Sequence, residues 1–349
     1  MVRLRKWMLA LAALVLAAGC ACAFDPSVPP AQRNAILISW DGAQRDHVKE
    51  CLSRNELPNL AALIKEGSFV EIDVVGHQTD TKAGHTQMLT GYDPDVTGVY
   101  SNSKYRPIPE GYTIFERLNQ QFGKENIATI MLTGKSHHIG SLGPGETAPP
   151  KAARPRQARK NTVAEDEETA KLKPQQRAAA EAQKVAQTNK EGEPWYKVKA
   201  NFTVWDGDIA RPASKVGPRC LDYIDKYGKG RFFAFFHFSD PDHKGHANGE
   251  NSKEYNDALI ECDQWLGKIV EKLKANGLYD KTMIFVTADH GFDEGKTSHK
   301  NAPYVFLAAN DPKVKKNGDQ RDIVPTILVE MGADLSKITP KLPGKPLLQ

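Results

Sequence analysis

Short apolar runs alternate along the chain with segments in which apolar residues recur every three or four positions. The apolar runs predict strands at 35–40, 69–75, 127–132, 232–238, 283–287 and 304–308. The second pattern predicts helices at 58–65, 86–89, 255–273 and 322–331. Strands that are apolar on both faces are typical of a parallel sheet covered by helices on both sides. We therefore expect an α/β fold with a doubly wound, mostly parallel sheet, in one domain spanning 34–349.

Residues 146–194 interrupt this alternation. The segment has no aromatic residue and almost no large aliphatic one, and it consists mainly of Ala, Lys, Arg, Glu, Gln and Pro. Such a composition buries too little apolar surface to offset the entropy of ordering. We expect a solvated insertion, either disordered or a loose Ala-rich helix around 177–187. The alternative is a lid over the functional site, because long loops inside enzyme domains are often functional.

The N-terminal residues 1–23 resemble a secretory signal peptide. Three basic residues precede an apolar run that is too short to cross a bilayer as a mature helix. Two cleavage sites compete: the small-x-small sequence at 21–23, and a lipoprotein-like sequence ending at Cys20, which would carry the lipid. We slightly favour the lipoprotein. The expected location is periplasmic or anchored to a membrane through Cys20.

Net charge and cysteine content argue against a nucleic-acid-binding protein and against a structural zinc site. Removal of three basic residues with the signal would lower the formal net charge from +4 to +1, so we expect no nucleic-acid-binding surface. The cysteines Cys51, Cys220 and Cys262 would remain, which permits at most one disulfide, of undetermined pairing. Their spacing does not match a structural zinc site.

Polar residues that bind metals follow several of the predicted strands. Ligands of an open parallel sheet bind outside the carboxyl ends of its strands, so residues distant in sequence can meet there. Asp242 and His246 are four positions apart and would share one face of a helical turn. Carboxylate and imidazole ligands together favour zinc. The seven candidates for a two-metal site are Asp41, Thr81, Asp242, His246, Asp289, His290 and His299.

Thr81 is the candidate nucleophile. Its hydroxyl needs activation, which coordination to a metal would supply. The apolar pattern after it suggests that a helix begins just beyond Thr81, with free N–H groups, beginning with that of Lys82, facing a bound phosphate. The alternative is that Thr81 is an ordinary helix cap.

These residues occur in motifs that are similar to those of the alkaline phosphatase superfamily, and more closely to its type I phosphodiesterase/nucleotide pyrophosphatase branch. The motifs, in the same order as in that branch, are ISWDG at 38–42, PDHKGH at 241–246, ADHG at 288–291 and DIVPT at 322–326. The branch commonly has Phe-Pro-Asn-His after its threonine, whereas residues 82–85 are KAGH. The sulfatase motif Cys/Ser-x-Pro-Ser-Arg is absent, so a sulfate ester is not the expected main substrate.

The resemblance implies roles for individual residues. One metal would be held by Asp242, His246 and His299, and the other by Asp41, Thr81, Asp289 and His290. Thr81 would form a phosphothreonine intermediate, which the second step hydrolyses. Asn102 matches the branch's amide donor to the phosphoryl group.

Lys135 and His137 occupy a place that resembles the Lys-x-Arg of the superfamily's threonine-dependent monoesterases, with His137 where those enzymes have arginine. The alternative is a solvated Lys135 beside a structural His137.

The sequence therefore predicts a two-metal hydrolase of small phosphate esters, of the phosphodiesterase/nucleotide pyrophosphatase type, containing two divalent ions, most favourably Zn²⁺. One alternative is an alkaline phosphomonoesterase that uses Lys135. The other, less favoured, is a non-catalytic binding protein on the same fold. The natural substrate and the oligomeric state stay open.

Overall fold

The computed structural model describes residues 23–146 and 190–349, and an eight-stranded sheet forms its centre. The strand order is β4-β3-β5-β1-β6-β7-β2-β8, and every pair is parallel except the two that involve β7. Every residue of β1, β5 and β6 is buried because these strands are covered on both faces. The strands are β1 Asn34–Trp40, β2 Ser68–Asp73, β3 Ala128–Leu132, β4 Val204–Asp206, β5 Phe232–Phe238, β6 Thr282–Thr287, β7 Tyr304–Ala309 and β8 Gly318–Asp319.

The helices of the described residues pack in two groups, as expected for a sheet covered on both faces. One group comprises α1 Arg45–Ser53, α2 Pro58–Glu66, α6 Ala213–Tyr227, α7 Asp240–Asn248 and α8 Lys253–Ala275. The other comprises α3 Thr81–Thr90, α4 Pro94–Thr97, α5 Ile114–Phe122 and α9 Ile323–Glu330. The predicted fold class is confirmed. The six predicted strands are all present, and β4 and β8 are two short strands that the apolar pattern did not reveal.

Two predicted features lie largely outside the described residues. The signal peptide and its candidate lipid-bearing Cys20 are among residues 1–22, and most of the predicted insertion is at 147–189. The end of the insertion is described, and its expected solvated character does not hold at Glu193, which is 5% exposed. The backbone N–H of Glu193 donates to the carbonyl of Leu142 at 2.8 Å, so the two ends of the insertion meet.

Cys51, Cys220 and Cys262 are buried and free. Within the described residues, no helix combines the length and apolar character needed to cross a membrane.

Candidate active site

The carboxyl ends of the three central strands bring the predicted carboxylates together. Asp41 directly follows β1, Asp289 lies two residues after β6, and Asp242 is in the first turn of α7, which follows β5. Because β5, β1 and β6 are neighbours in the sheet, these three ends meet at one edge. The three side chains are at most 1% exposed. Buried carboxylates at this density require compensating positive charge.

Asp242, His246 and His299 form the first cluster, as the resemblance implied. His246 Nε2 lies 3.3 Å from Asp242 Oδ1 and 3.1 Å from His299 Nε2. The other nitrogen of His246, Nδ1, lies 2.8 Å from the carbonyl of Thr297 and donates to it, so in the neutral ring the lone pair is on Nε2. Burial lowers the pKa of His299 to about 4, and this ring is therefore neutral near pH 7. Both imidazoles are suited to bind a cation.

Asp41, Asp289 and His290 form the second cluster beside it. His290 Nε2 lies 3.3 Å from Asp289 Oδ2 and 3.6 Å from Asp41 Oδ1. His290 Nδ1 is 2.9 Å from the carbonyl of Gly291, which again directs Nε2 into the cluster. Asp242 Oδ1 is 3.9 Å from His290 Nε2, so Asp242 lies within reach of both clusters. The ligand atoms of Asp41, Asp242 and His290 lie within 4.8 Å of one another.

Four ligand atoms in these clusters are buried and have no hydrogen-bond partner among the described residues. They are Asp41 Oδ1, Asp242 Oδ1, Asp289 Oδ2 and His290 Nε2. A buried polar atom without a partner is costly, and so many in one place point to a missing partner. Divalent cations fit this set, because the unpaired atoms are carboxylate oxygens and an imidazole nitrogen.

Thr81 is the first residue of α3, and its N-cap is Asp80. The alternative that Thr81 itself caps the helix is therefore wrong. Its side chain is 1% exposed, and Lys135 Nζ donates to its Oγ1 at 3.0 Å. The candidate nucleophile thus points into the cluster of carboxylates that Lys135 also contacts.

Lys135 is buried at the centre of the site, in the turn after β3. Its ammonium donates to Asp242 Oδ2 at 2.5 Å and to Asp41 Oδ2 at 3.1 Å. Burial acts to lower the pKa of Lys135, but the charges of Asp242 and Asp41 outweigh burial and raise it above the usual value. The alternative of a solvated Lys135 is wrong, because the side chain is buried and its Nζ lies next to the Thr81 hydroxyl.

Asn102 covers the N-terminus of α3. Its side-chain oxygen accepts from the backbone N–H of Lys82 at 2.9 Å, and its own backbone N–H donates to Asp80 Oδ2 at 2.8 Å. The expectation that the Lys82 N–H is free for a phosphate is wrong for this structure, because Asn102 already occupies it. The oxygen end of the amide is used in this bond, so the NH₂ end of Asn102 is its remaining donor.

The side chain of Lys82 is buried in an ion pair with Glu193. Lys82 Nζ also donates to the backbone carbonyl of His137 at 3.1 Å, and the Tyr105 hydroxyl donates to Glu193 Oε1 at 3.2 Å. The ring of His137 is exposed and packs at a tilt against that of His138. Sequence reasoning missed Glu193, since it lies in a segment with no aromatic residue and almost no large aliphatic one.

Two buried histidines support the carboxylates of the second cluster. His237 Nε2 lies 2.9 Å from Asp41 Oδ2. His85 Nδ1 lies 3.3 Å from Asp289 Oδ2 and 2.8 Å from the carbonyl of Thr81. Burial lowers the pKa of His237 to about 4. The sequence pattern gave no sign of these contacts and indicated only a structural role for His237.

Comparisons with known proteins agree with this geometry. A model of the family "Type I phosphodiesterase / nucleotide pyrophosphatase" matches residues 35–340. The chain is 22% identical to the bis(5'-adenosyl)-triphosphatase ENPP4 of Pongo abelii over 273 residues, which cover 77% of this chain and 49% of that protein. It is 24% identical to the mouse protein of the same name over 272 residues, covering 76% of this chain and 48% of that one. The chain thus spans about half the length of these curated relatives.

Solved structures share the fold at low sequence identity. The phosphonate monoester hydrolase SpPMH from Silicibacter pomeroyi superposes with a TM-score of 0.53 and 16% identity, covering 90% of this chain and 75% of that one. The 2-O GAG sulfatase BT1596 gives a TM-score of 0.54 and 13% identity, with coverage of 90% and 73%. These hydrolases, like the ENPP4 relatives, belong to the alkaline phosphatase superfamily. With the family model matched over most of its length, the chain belongs to the type I phosphodiesterase/nucleotide pyrophosphatase family of that superfamily.

Proposed function

We propose that the protein is a two-metal hydrolase of small phosphate esters that acts through a phosphothreonine intermediate on Thr81. The observation that carries the proposal is the set of buried, unpaired ligand atoms on Asp41, Asp242, Asp289 and His290. They converge on the site in which Lys135 also contacts the Thr81 hydroxyl. The family match supports hydrolysis of phosphate esters as the class of reaction.

Asp242, His246 and His299 would hold one ion, and Asp41, Thr81, Asp289 and His290 the other, with Asp242 close enough to contribute to both. When bound, the two ions would favour the Thr81 alkoxide and neutralise charge that develops on the phosphoryl and leaving-group oxygens. The mixture of carboxylates and imidazoles favours zinc. His246 is half exposed whereas His290 is fully buried, which identifies the first cluster as the side open to solvent.

The proposed reaction consists of two successive displacements at phosphorus. Thr81 Oγ loses its proton to solvent and attacks phosphorus, the bond to the leaving oxygen breaks, and that oxygen departs as an anion or takes up a proton from solvent. The phosphoryl group is then carried on Thr81. Lys135, within hydrogen-bond distance of Oγ, and the NH₂ group of Asn102 would donate to non-bridging phosphoryl oxygens. Water then attacks the same phosphorus, the bond to Oγ breaks, and the Thr81 hydroxyl regains a proton.

Lys135 supports a second candidate, the phosphomonoesterase. Its buried ammonium contacts the nucleophile directly, and a monoester near neutral pH has almost two negative charges where a diester has one. The name of the ENPP4 relatives, bis(5'-adenosyl)-triphosphatase, points instead to substrates in which a triphosphate joins two adenosyl groups. Lys82 lies next to the nucleophile where the branch commonly has phenylalanine, so the pocket for the rest of the substrate differs. We propose diester cleavage with appreciable monoesterase activity.

A comparison of nitrophenyl phosphate with bis-nitrophenyl phosphate, with and without a chelator, tests the proposal. We expect turnover of both compounds, loss of both activities on removal of metal, and recovery on adding zinc. Full activity in metal-free protein, or no turnover of either compound by zinc-loaded protein, would refute it. The location of the reaction rests on the N-terminal sequence alone, and we propose the periplasm, with Cys20 as a membrane anchor.

A further inference from the structure

His237 connects a candidate metal ligand to the turn that carries Lys135. It is the sixth residue of β5, and its side chain is fully buried at the edge where β5 and β1 end. One ring nitrogen, Nε2, lies 2.9 Å from Asp41 Oδ2. The other, Nδ1, accepts from the backbone N–H of Gly134 at 3.1 Å, one residue before Lys135.

The bond from Gly134 determines which nitrogen of His237 carries the proton. A backbone N–H can only donate, so Nδ1 must present a lone pair to it. The proton of the neutral ring is therefore on Nε2, and His237 donates to Asp41 Oδ2. That oxygen also accepts from Lys135 at 3.1 Å, whereas Asp41 Oδ1 has no partner among the described residues. The two donors thus occupy one oxygen of Asp41 and leave the other for a cation.

We propose that His237 is a positioning residue that holds Asp41 with Oδ1 directed at the second metal and fixes the Lys135 turn relative to it. The assignment rests on the proposed two-metal function. A histidine that served only the core would not need both ring nitrogens bonded to groups of the site. Partners of this kind orient metal ligands in other proteins, and their loss typically lowers metal affinity or activity by about 10- to 100-fold.

Three substitutions separate positioning from packing. The side-chain NH₂ of His237→Gln reaches about as far as Nε2 and can still donate to Asp41. The shorter side chain of His237→Asn cannot reach Asp41, and His237→Met fills the space without donating. His47→Asn is the matched control, because His47 is also buried, and its Nδ1 lies 2.6 Å from a carboxylate oxygen of Glu250, outside both clusters.

Zinc binding to each purified variant, measured by competition with a chelating dye, is the decisive experiment. We expect two ions per chain for the parent protein, and about 10- to 100-fold weaker binding of one ion, but not the other, in His237→Asn and His237→Met. His237→Gln should regain most of the lost affinity, and His47→Asn should bind both ions as the parent does even if its melting temperature falls.

Parent-like affinity for both ions in His237→Asn or His237→Met would overturn the role of His237 and leave the proposed function intact. Fewer than two ions in the parent would overturn both. If one of these two variants does not fold, the other still decides the question.

Discussion

The charge balance at the site predicts that Lys135→Met will lower activity on a monoester more than activity on a diester. With the two proposed divalent ions bound and the Thr81 hydroxyl still protonated, the three carboxylates and the Lys135 ammonium would leave two positive charges, the complement of a monoester dianion. Without the ammonium, one positive charge remains, which complements the single charge of a diester. Methionine is unbranched and only one atom shorter than lysine, so the substitution removes the charge with little change in side-chain volume.

The size of the effect follows from the position of Lys135. Its Nζ is 3.0 Å from the Thr81 hydroxyl oxygen, so the phosphorus attacked by Thr81, around which the negative charge is distributed, would lie about 4 Å away. An extra unit charge at that separation is worth about 4 kcal/mol at an effective dielectric constant of about 20. Because the extra charge of the monoester is shared among its oxygens and Lys135 is also held by Asp41 and Asp242, we expect about a third of this. That corresponds to about 1.4 kcal/mol, or about tenfold.

Steady-state kinetics on nitrophenyl phosphate and its diester measure the difference directly. The value of kcat/KM should fall at least about tenfold more for the monoester than for the diester. Lys253→Met, which removes an exposed lysine on α8, is the control and should leave the ratio unchanged. Equal losses on both substrates, or no loss on either, would refute the charge argument and favour the plain diesterase.

Three further results are expected. Thr81→Ala should abolish turnover while zinc binding and melting temperature stay close to those of the parent; near-parental turnover would mean that another group attacks phosphorus. Glu193→Ala should lower the free energy of unfolding by about 3–5 kcal/mol, because it leaves the Lys82 ammonium buried without its partner, and adding Lys82→Met should restore part of this in urea unfolding. A double variant less stable than Glu193→Ala would contradict the buried pair. Burial and the charge of Asp311 raise the pKa of Glu330 by more than its ion pair with Arg33 lowers it. The folded protein therefore holds that proton more tightly than the unfolded chain and loses stability as pH rises from about 4.3 towards neutrality. Glu330→Gln should therefore gain stability relative to the parent over that interval, and a difference that does not change with pH would contradict the assignment.

The continuous apolar strands made the centre of the fold predictable, whereas the edges depended on tertiary contacts. Strand β4 has only three residues, all half-buried, and its pairing with β3 stabilises it. Helix α6 was not predicted because Gly217 and Pro218 interrupt its pattern of apolar residues. The structure supplies the reason for the glycine: a Cβ at Gly217 would lie 2.0 Å from the Trp265 ring.

The convergence of the candidate ligands Asp41, Asp242 and Asp289 was predictable because each closely follows a strand, and strand ends converge in this class of fold. Residues that support them were not, since His237 and Glu193 acquire their partners only through folding. Gly84 is another residue whose role the sequence does not reveal. A Cβ there would lie 2.4 Å from the carbonyl oxygen of Asp289, so a glycine lets α3 pack against the candidate metal site. The sequence alone gives no indication of that approach.

The stereochemistry at phosphorus is the most direct test of the central claim that Thr81 carries the phosphoryl group. A diester made chiral at phosphorus by one sulfur atom can be hydrolysed in water enriched in heavy oxygen, and the configuration of the product can then be determined. Each in-line displacement inverts phosphorus, so attack by Thr81 followed by attack of water predicts overall retention. Inversion would show that water attacks the ester directly and would contradict a phosphothreonine intermediate.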